Sequence, residues 1–135
     1  MRFNYGVDLP NFDVSLLYNL ESINILGRCF QSVKVFKIDG LNRLKRLVIG
    51  VESFTNGTDK EMDKSKSFHV LNCKSLKLIK MGRYAFHDYA GEFELKNLPS
   101  LVSLNIGESA EIDCGAYNFY HCSFVVRGFE ILKDF

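Results

Sequence analysis

The sequence predicts a mainly β repeat solenoid with about four and a half repeats and little helix. The first observation behind this prediction is one set of apolar positions that recurs along the chain with unchanged spacing inside the motif. The second is that both ends of the motif alternate apolar and outward positions with period two, as short strands do. The third is an excess of one aromatic residue, because the chain has 12 Phe and no Trp.

Each copy of the motif contains a Phe-x-aliphatic pair, two leucine positions and a second aliphatic pair. We expect one short strand from each pair, on opposite faces of the coil. We also expect a tight turn between the strands that directs both leucine positions inward, which are Leu17 and Leu20 in the first copy. The copies begin near residues Phe12, Phe36, Phe68, Phe93 and Phe124.

The motifs predict one domain over residues 1–135, with residues 1–11 as an N-terminal segment and an incomplete last repeat that stops at Phe135. One coil alone has nothing against which to bury its apolar side chains, so stability must come from stacking on neighbouring coils. The predicted core consists of Leu20, Ile23, Ile25, Phe36, Leu44, Leu47, Ile49, Phe68, Leu76, Ile79, Met81, Phe93, Leu101, Leu104, Ile106 and Phe124.

Glycine marks the end of each motif. Gly50, Gly82 and Gly107 directly follow the last aliphatic residue, and Gly27 follows after one more residue. We expect these glycines to adopt positive φ where the chain leaves the second strand.

Insertions fall only between motifs, and one of the longest runs from Thr55 to Ser67. Its charged residues have no periodic apolar partners and therefore no driving force for burial, so an exposed loop is expected. These residues are Lys60, Glu61, Asp63, Lys64 and Lys66.

The block Leu98-x-x-Leu101-x-x-Leu104-x-Ile106 resembles the strand segment of leucine-rich repeats. The added Gly-x-x-x-Phe, as in Gly50 to Phe54, together with the Phe-x-Ile strand, looks closest to the BspA-like subclass. The resemblance extends from Phe12 to the end of the chain and implies a curved right-handed coil that binds proteins or other ligands.

The second strand of each motif lines the concave face in the family that the chain resembles. Its outward residues are therefore the candidate binding surface. Two of them, Val48 and Leu78, are apolar and are expected to lie exposed beside Arg46 and Lys80, which would suit a partner with some negative charge. The alternative is an ordinary solvated sheet surface with incidental apolar residues. The candidates are Ser22, Asn24, Arg46, Val48, Leu78, Lys80, Ser103 and Asn105.

The first strands present another outward row, in which unlike charges oppose each other and His69 lies beside Glu94. Cross-strand pairs of this kind contribute about 0.2–1 kcal/mol each, so we interpret the row as structural. Its members are Asp13, Lys37, His69, Glu94 and Val125.

No catalytic, metal or cofactor motif is found in the sequence. It lacks His-Glu-x-x-His, Cys-x-x-Cys, Gly-x-Ser-x-Gly and phosphate-binding glycine loops. A zinc or thiol cluster of Cys114, His121 and Cys122 is conceivable, but Cys122 is better explained as a small buried residue. We therefore expect neither an enzyme nor a resident cofactor or metal.

The composition narrows the class of partner. The chain has 17 Lys and Arg against 16 Asp and Glu, which lacks the basic excess of a nucleic-acid-binding surface. No apolar run approaches the ~20 residues that membrane insertion requires, and no signal peptide is recognisable. The sequence does not identify the cellular compartment, which would be the cytoplasm if the chain is complete.

The leading functional hypothesis is a non-catalytic module that binds a protein or other ligand. The alternative is a structural segment of a longer repeat array or surface protein without a binding site of its own. The C-terminal end is apolar at Phe129, Ile131, Leu132 and Phe135, which predicts either further repeats or self-association through that end.

Overall fold

The structure, a computed structural model, describes residues 2–3, 11–55, 63–108 and 123–127, with side chains for residues 11–55 and 63–107. This part of the chain is all β. It contains no helix, and so none that could span a membrane. Its ten strands are β1 (Arg2–Phe3), β2 (Asn11–Asp13), β3 (Ser22–Ile25), β4 (Val35–Asp39), β5 (Arg46–Ile49), β6 (Ser67–Leu71), β7 (Leu78–Gly82), β8 (Glu92–Lys96), β9 (Ser103–Glu108) and β10 (Ser123–Arg127).

The strands form two five-stranded parallel sheets, and the chain alternates between them. The odd sheet has the order β1-β3-β5-β7-β9, and the even sheet has the order β10-β8-β6-β4-β2. Each of the first four motifs adds one strand to each sheet, the described part of the fifth motif adds β10 to the even sheet, and the N-terminal segment adds β1 to the odd sheet. In the even sheet the register aligns the first residue of every motif, which are Phe12, Phe36, Phe68, Phe93 and Phe124.

The inward residues of both sheets and of the turns between them pack into one core. The alternation of buried and outward positions along each strand follows the period of two in the sequence. Most of the predicted core residues are at most 6% exposed. They are Ile23, Ile25, Phe36, Leu44, Leu47, Ile49, Phe68, Leu76, Ile79, Met81, Phe93, Leu101 and Leu104.

Three expected core or inward positions differ. Leu20 and Ile106 are only half-buried, and Leu17 is 42% exposed although the turn was expected to direct it inward. The reason is their place in the stack, because β2 and β9 are the last strands at opposite ends of their sheets. The equivalent Leu41, in the next coil, is fully buried. The side chain of Phe124 lies outside the described residues.

Two ladders of stacked phenylalanines run through the core. In the first ladder, formed by the even strands, neighbouring ring centroids are 4.8–5.1 Å apart. In the second, formed at the corners after the odd strands, they are 4.7–5.3 Å apart. Rings of one ladder meet rings of the other edge to face, a favoured geometry worth about 0.5–1.5 kcal/mol per pair. The ladders are Phe12, Phe36, Phe68 and Phe93, and Phe30, Phe54 and Phe86.

The corners after β3, β5 and β7 adopt a left-handed backbone at non-glycine residues, which was not predicted from the sequence. Phe30, Phe54 and Phe86 have φ of 57–59°, and the residues two positions before them are also left-handed. This conformation costs an L-residue about 1–2 kcal/mol. Hydrogen bonds to the preceding coil and the stacked rings compensate for it, as where the Phe86 amide donates to the Ser53 carbonyl at 2.9 Å.

The expectation that the motif glycines adopt positive φ is wrong for Gly27, Gly50 and Gly82 and is confirmed for Gly107, which has φ 78°. Gly50 and Gly82 are required for a different reason. A Cβ at Gly50 would lie 2.4 Å from the Gly27 nitrogen, and one at Gly82 would lie 2.6 Å from the Val51 nitrogen. Successive coils therefore touch backbone to backbone at this corner.

The replacement Leu76→Ala should lower the free energy of unfolding by about 2–5 kcal/mol, because it opens a cavity in a fully buried turn in the middle of the stack. Urea denaturation measures the effect. The control is Val102→Ala, since Val102 is 42% exposed and should cost less than about 0.5 kcal/mol. Equal denaturation midpoints for Leu76→Ala and the unmodified chain would contradict the core described above.

Candidate functional site

The eight candidate binding residues lie together on the outer side of the odd sheet, and we call this set the odd face. The strand register arranges them in two rows across β3, β5, β7 and β9. One row is Ser22, Arg46, Leu78 and Ser103, and the other is Asn24, Val48, Lys80 and Asn105. Neighbouring members of a row are therefore separated by the ~4.8 Å spacing of hydrogen-bonded strands.

The accessibility of the odd face is uneven. Ser22, Asn24 and Arg46 are exposed, whereas the other five residues are half-buried. Val48 and Leu78, which were expected to be exposed, are therefore only partly exposed. Val48 lies between Asn24 and Lys80 in its row, and Leu78 lies between Arg46 and Ser103. A partner would meet cationic and amide groups first and hydrocarbon beneath them.

The short strand β1 extends the odd sheet beyond β3. Arg2 is the register partner of Asn24, so a basic residue stands at the head of the row that contains Lys80. The sequence analysis treated residues 1–11 only as an N-terminal segment. A strand of two residues carries no usable period-two signal, which is why it was missed.

A second exposed surface is the turn between β2 and β3. The side chains of Leu16 and Tyr18 are 86% and 66% exposed, and Leu17 lies beside them. These residues line a shallow depression at the β2 end of the stack. The corresponding turns in the interior of the stack bury their leucines, so this apolar surface is a property of the end coil.

On the outer side of the even sheet, the register places His69 beside Glu94, as expected. The His69 Nδ1 atom lies 3.0 Å from a carboxylate oxygen of Glu94 and 3.7 Å from one of Glu92. The other ring nitrogen, Nε2, lies 3.0 Å from the Ser67 hydroxyl. The three side chains could hold a metal ion, since their potential ligand atoms all lie within 4.8 Å of one another.

Glu92 was missed in the sequence analysis, although a signal was available. It precedes Glu94 by two residues on β8, so both carboxylates project from the same side of the strand toward the residue opposite. It lies two residues along the strand from the row of equivalent motif positions, which contains Glu94 but not Glu92.

In the 55–67 insertion Lys66 is buried, in contrast to the exposed loop expected, whereas Lys64 is exposed as expected and Asp63 is half-buried. Lys66 is 2% exposed, and its ammonium lies 2.5 Å from an oxygen of Asp88, which is equally buried. Within the described residues, the other carboxylate oxygen of Asp88 has no hydrogen-bond partner. The position of this ion pair shows that the insertion is anchored in the core at its C-terminal end. Residues 56–62, and with them Lys60 and Glu61, lie outside the described residues.

Tyr89 lies next to this ion pair and connects distant coils. Its hydroxyl donates a hydrogen bond to the Val33 carbonyl at 2.5 Å, and the Lys66 ammonium lies 5.8 Å from its ring. Burial, and to a lesser extent the Asp88 and Asp63 carboxylates, raises the pKa of Tyr89 well above its ordinary value. The phenol therefore stays protonated and acts as a structural donor.

Cys29 and Cys73 are fully buried. Burial raises the pKa of both thiols, which keeps them protonated and weakly nucleophilic. Their hydrogens point to the local backbone, as in the 3.2 Å contact from the Cys73 sulfur to the Leu71 carbonyl. The geometry of these two cysteines is that of small core residues. Cys114 and Cys122, with His121, lie outside the described residues.

The buried ion pair gives a stability prediction. Lys66→Met should lower the free energy of unfolding by about 3–5 kcal/mol, because it leaves the Asp88 carboxylate buried without its cation. The double replacement Lys66→Met/Asp88→Leu removes both charges and should recover most of the loss. Urea denaturation of the two variants measures the difference. A double variant no more stable than the single one would contradict a role for the uncompensated charge.

The features that bear on function are the odd face and the His69 cluster, which consists of His69, Glu92 and Glu94. The chain matches none of the protein-family models, curated proteins or solved structures with which it was compared.

Proposed function

We propose that the chain is a leucine-rich-repeat solenoid of the BspA-like type and that it serves as a non-catalytic module binding a protein or other ligand through the odd face. Its partner is a protein of unknown identity rather than nucleic acid or a lipid bilayer. The observation that carries the proposal is the alignment of the eight candidate residues in two parallel rows.

The architecture supports the repeat assignment. Each of the first four motifs adds one parallel strand to each sheet, and the residues at equivalent motif positions are register partners. Insertions between motifs leave this register unchanged, which is typical of repeat proteins stacked along one axis. The Leu-x-x-Leu block places its leucines in the buried turn and the odd strand, as in Leu44 and Leu47.

The odd face offers a rigid surface for binding. Its side chains project from a hydrogen-bonded sheet whose opposite side is packed against the core, so their backbone positions are already ordered before a partner arrives. A preorganised surface loses less conformational entropy on association. Half-buried side chains such as Leu78 also have less freedom to lose than fully exposed ones.

The chemistry of the odd face favours a partner that presents carboxylates around an apolar centre. Arg46 and Lys80 lie on adjacent strands in neighbouring rows, with Val48 and Leu78 completing the square between them. Guanidinium and ammonium groups pair with carboxylates, while the aliphatic side chains supply apolar contact area. Polar residues flank this centre on both sides, namely Ser22 and Asn24 on β3 and Ser103 and Asn105 on β9.

A structural segment of a longer array is the alternative, and the exposed turn of the first described coil favours it. Leu16, Leu17 and Tyr18 present apolar surface beside β2, an edge strand of the even sheet. Unpaired strand edges and apolar end coils are the surfaces that adjoining repeats cover in repeat proteins. The alternative needs no contribution from the odd face, which makes the two functions separable. Self-association through residues 128–135 concerns a segment outside the described residues.

The test is a charge reversal on the odd face. Immobilised wild-type chain and the Arg46→Glu/Lys80→Glu variant are compared by affinity pull-down from cell extract, with retained proteins quantified by mass spectrometry. We expect at least one protein to be retained by the wild type and lost from the variant by a factor of about 10 or more, which corresponds to ~1.4 kcal/mol. Reversed charges repel a carboxylate-bearing partner and leave the fold intact, because neither residue is in the core.

The matched control is Lys74→Glu/Lys96→Glu, which makes the same change in net charge at exposed positions away from the odd face. It should retain the partner at the wild-type level. Equal retention by all three chains would exclude the odd face as the binding surface and favour the structural alternative. Equal loss from both variants would mean that net charge, rather than the odd face, governs retention.

A further inference from the structure

The side chains of His69, Glu92 and Glu94 converge on one point of the even sheet, on a different surface from the odd face. Glu92 and Glu94 project from the same side of β8, and His69 projects from the adjacent strand β6 in register with Glu94. The three groups therefore belong to two hydrogen-bonded strands, and their relative backbone positions are set by the sheet. This is a more rigid scaffold than a surface loop.

The two distances from the His69 Nδ1 atom to the carboxylates bracket the separation between ligands of a small tetrahedral ion. Ligand atoms bound to zinc at about 2.0–2.1 Å are separated by roughly 3.3 Å. The His69 Nδ1 atom lies 3.0 Å from Glu94 and 3.7 Å from Glu92, on either side of that value. Glu92 is half-exposed and can close the remaining gap by rotating its side chain.

The chemistry of the group also favours a cation. Two carboxylates and a ring nitrogen face one another, and a divalent metal ion would balance the two negative charges while binding the nitrogen lone pair. The Ser67 hydroxyl lies 3.0 Å from Nε2 and orients the ring so that Nδ1 points to the carboxylates. A hydrogen bond to the second ring nitrogen is the usual support of a metal-bound histidine.

Lys37, on the other side of His69 in the same row, is the nearest competing cation in the register. It is also the register partner of Asp13 on β2. Hydrogen bonds from the Ser15 side chain and backbone, with a smaller contribution from Lys37, hold the pKa of Asp13 below its usual value. Lys37 therefore faces an ionised carboxylate of its own on the side away from the His69 cluster.

We propose that His69, Glu92 and Glu94 form a surface site for a divalent transition metal, and that this metal is zinc. One imidazole and two carboxylates supply three ligands, and water completes the coordination, an arrangement that suits zinc. The ion bridges β6 and β8 and so joins two adjacent coils. The site is independent of the proposed odd-face function, and either proposal can fail without the other.

The test measures zinc binding by isothermal titration calorimetry in a Cys114→Ser/Cys122→Ser background, so that thiols outside the described residues do not compete. We expect one equivalent of zinc and a rise in the thermal denaturation midpoint with added zinc. His69→Gln and Glu94→Gln, made in the same background, should each weaken binding by about 10-fold or more. Cobalt substitution gives a second readout through the visible absorption of the bound ion.

Glu52→Gln is the matched control, since it removes a carboxylate from an exposed ion pair with Arg28 at the corner after β5. It should bind zinc as the background chain does. Absence of binding by the background chain at millimolar zinc would overturn the proposal, as would equal affinity of the background, His69→Gln and Glu94→Gln chains. If either variant fails to fold, Glu92→Gln decides, because the Glu92 side chain is half-exposed and outside the core.

Discussion

The backbone contact between successive coils is the constraint on which the rest of the structure depends. At Gly50 and Gly82 the distance to the preceding coil is too short for any side chain. Parallel strands then hydrogen-bond on both sides of the coil, and this requires every coil to advance by the same distance. The invariant spacing inside the motif is the sequence counterpart of this requirement. Additional residues are accommodated only where the chain passes between motifs.

The phenylalanine ladders are a consequence of that common advance. Rings at equivalent positions fall directly above one another, and the left-handed corner brings Phe30, Phe54 and Phe86 edge to face with the first ladder. The corner is conformationally unfavourable for each phenylalanine taken alone. Because the ring contacts and coil-to-coil hydrogen bonds form together, the unfavourable backbone is stable only within the stack.

The fold could be predicted from sequence to the extent that it depends on repeated apolar positions. The strands around Phe36, Leu47 and Ile79 follow from alternation, and their alignment follows from constant spacing. The alignment of the odd-face residues follows from the same constant spacing. The burial of Lys66 does not follow from it, because the ion pair depends on Asp88, which occurs once and has no equivalent in other motifs. Glu92 was missed for the same reason, because it has no counterpart at the equivalent position of the other motifs. Features that occur once in the chain are recognised only in the structure, whereas features that repeat can be recognised in the sequence.

The alternation of the chain between two parallel sheets has a mechanical consequence. Because β2 and β10 lie at opposite ends of the even sheet, a force that separates them acts along the stacking axis. Such a force loads the hydrogen bonds between coils one row at a time, so each coil would detach as a unit when its own two strands separate. The extension released at each step would vary with the length of the insertion in that coil. The Lys66–Asp88 pair and the Tyr89 hydrogen bond to Val33 join separate passes of the chain. They would raise the force needed to detach the coils that they connect.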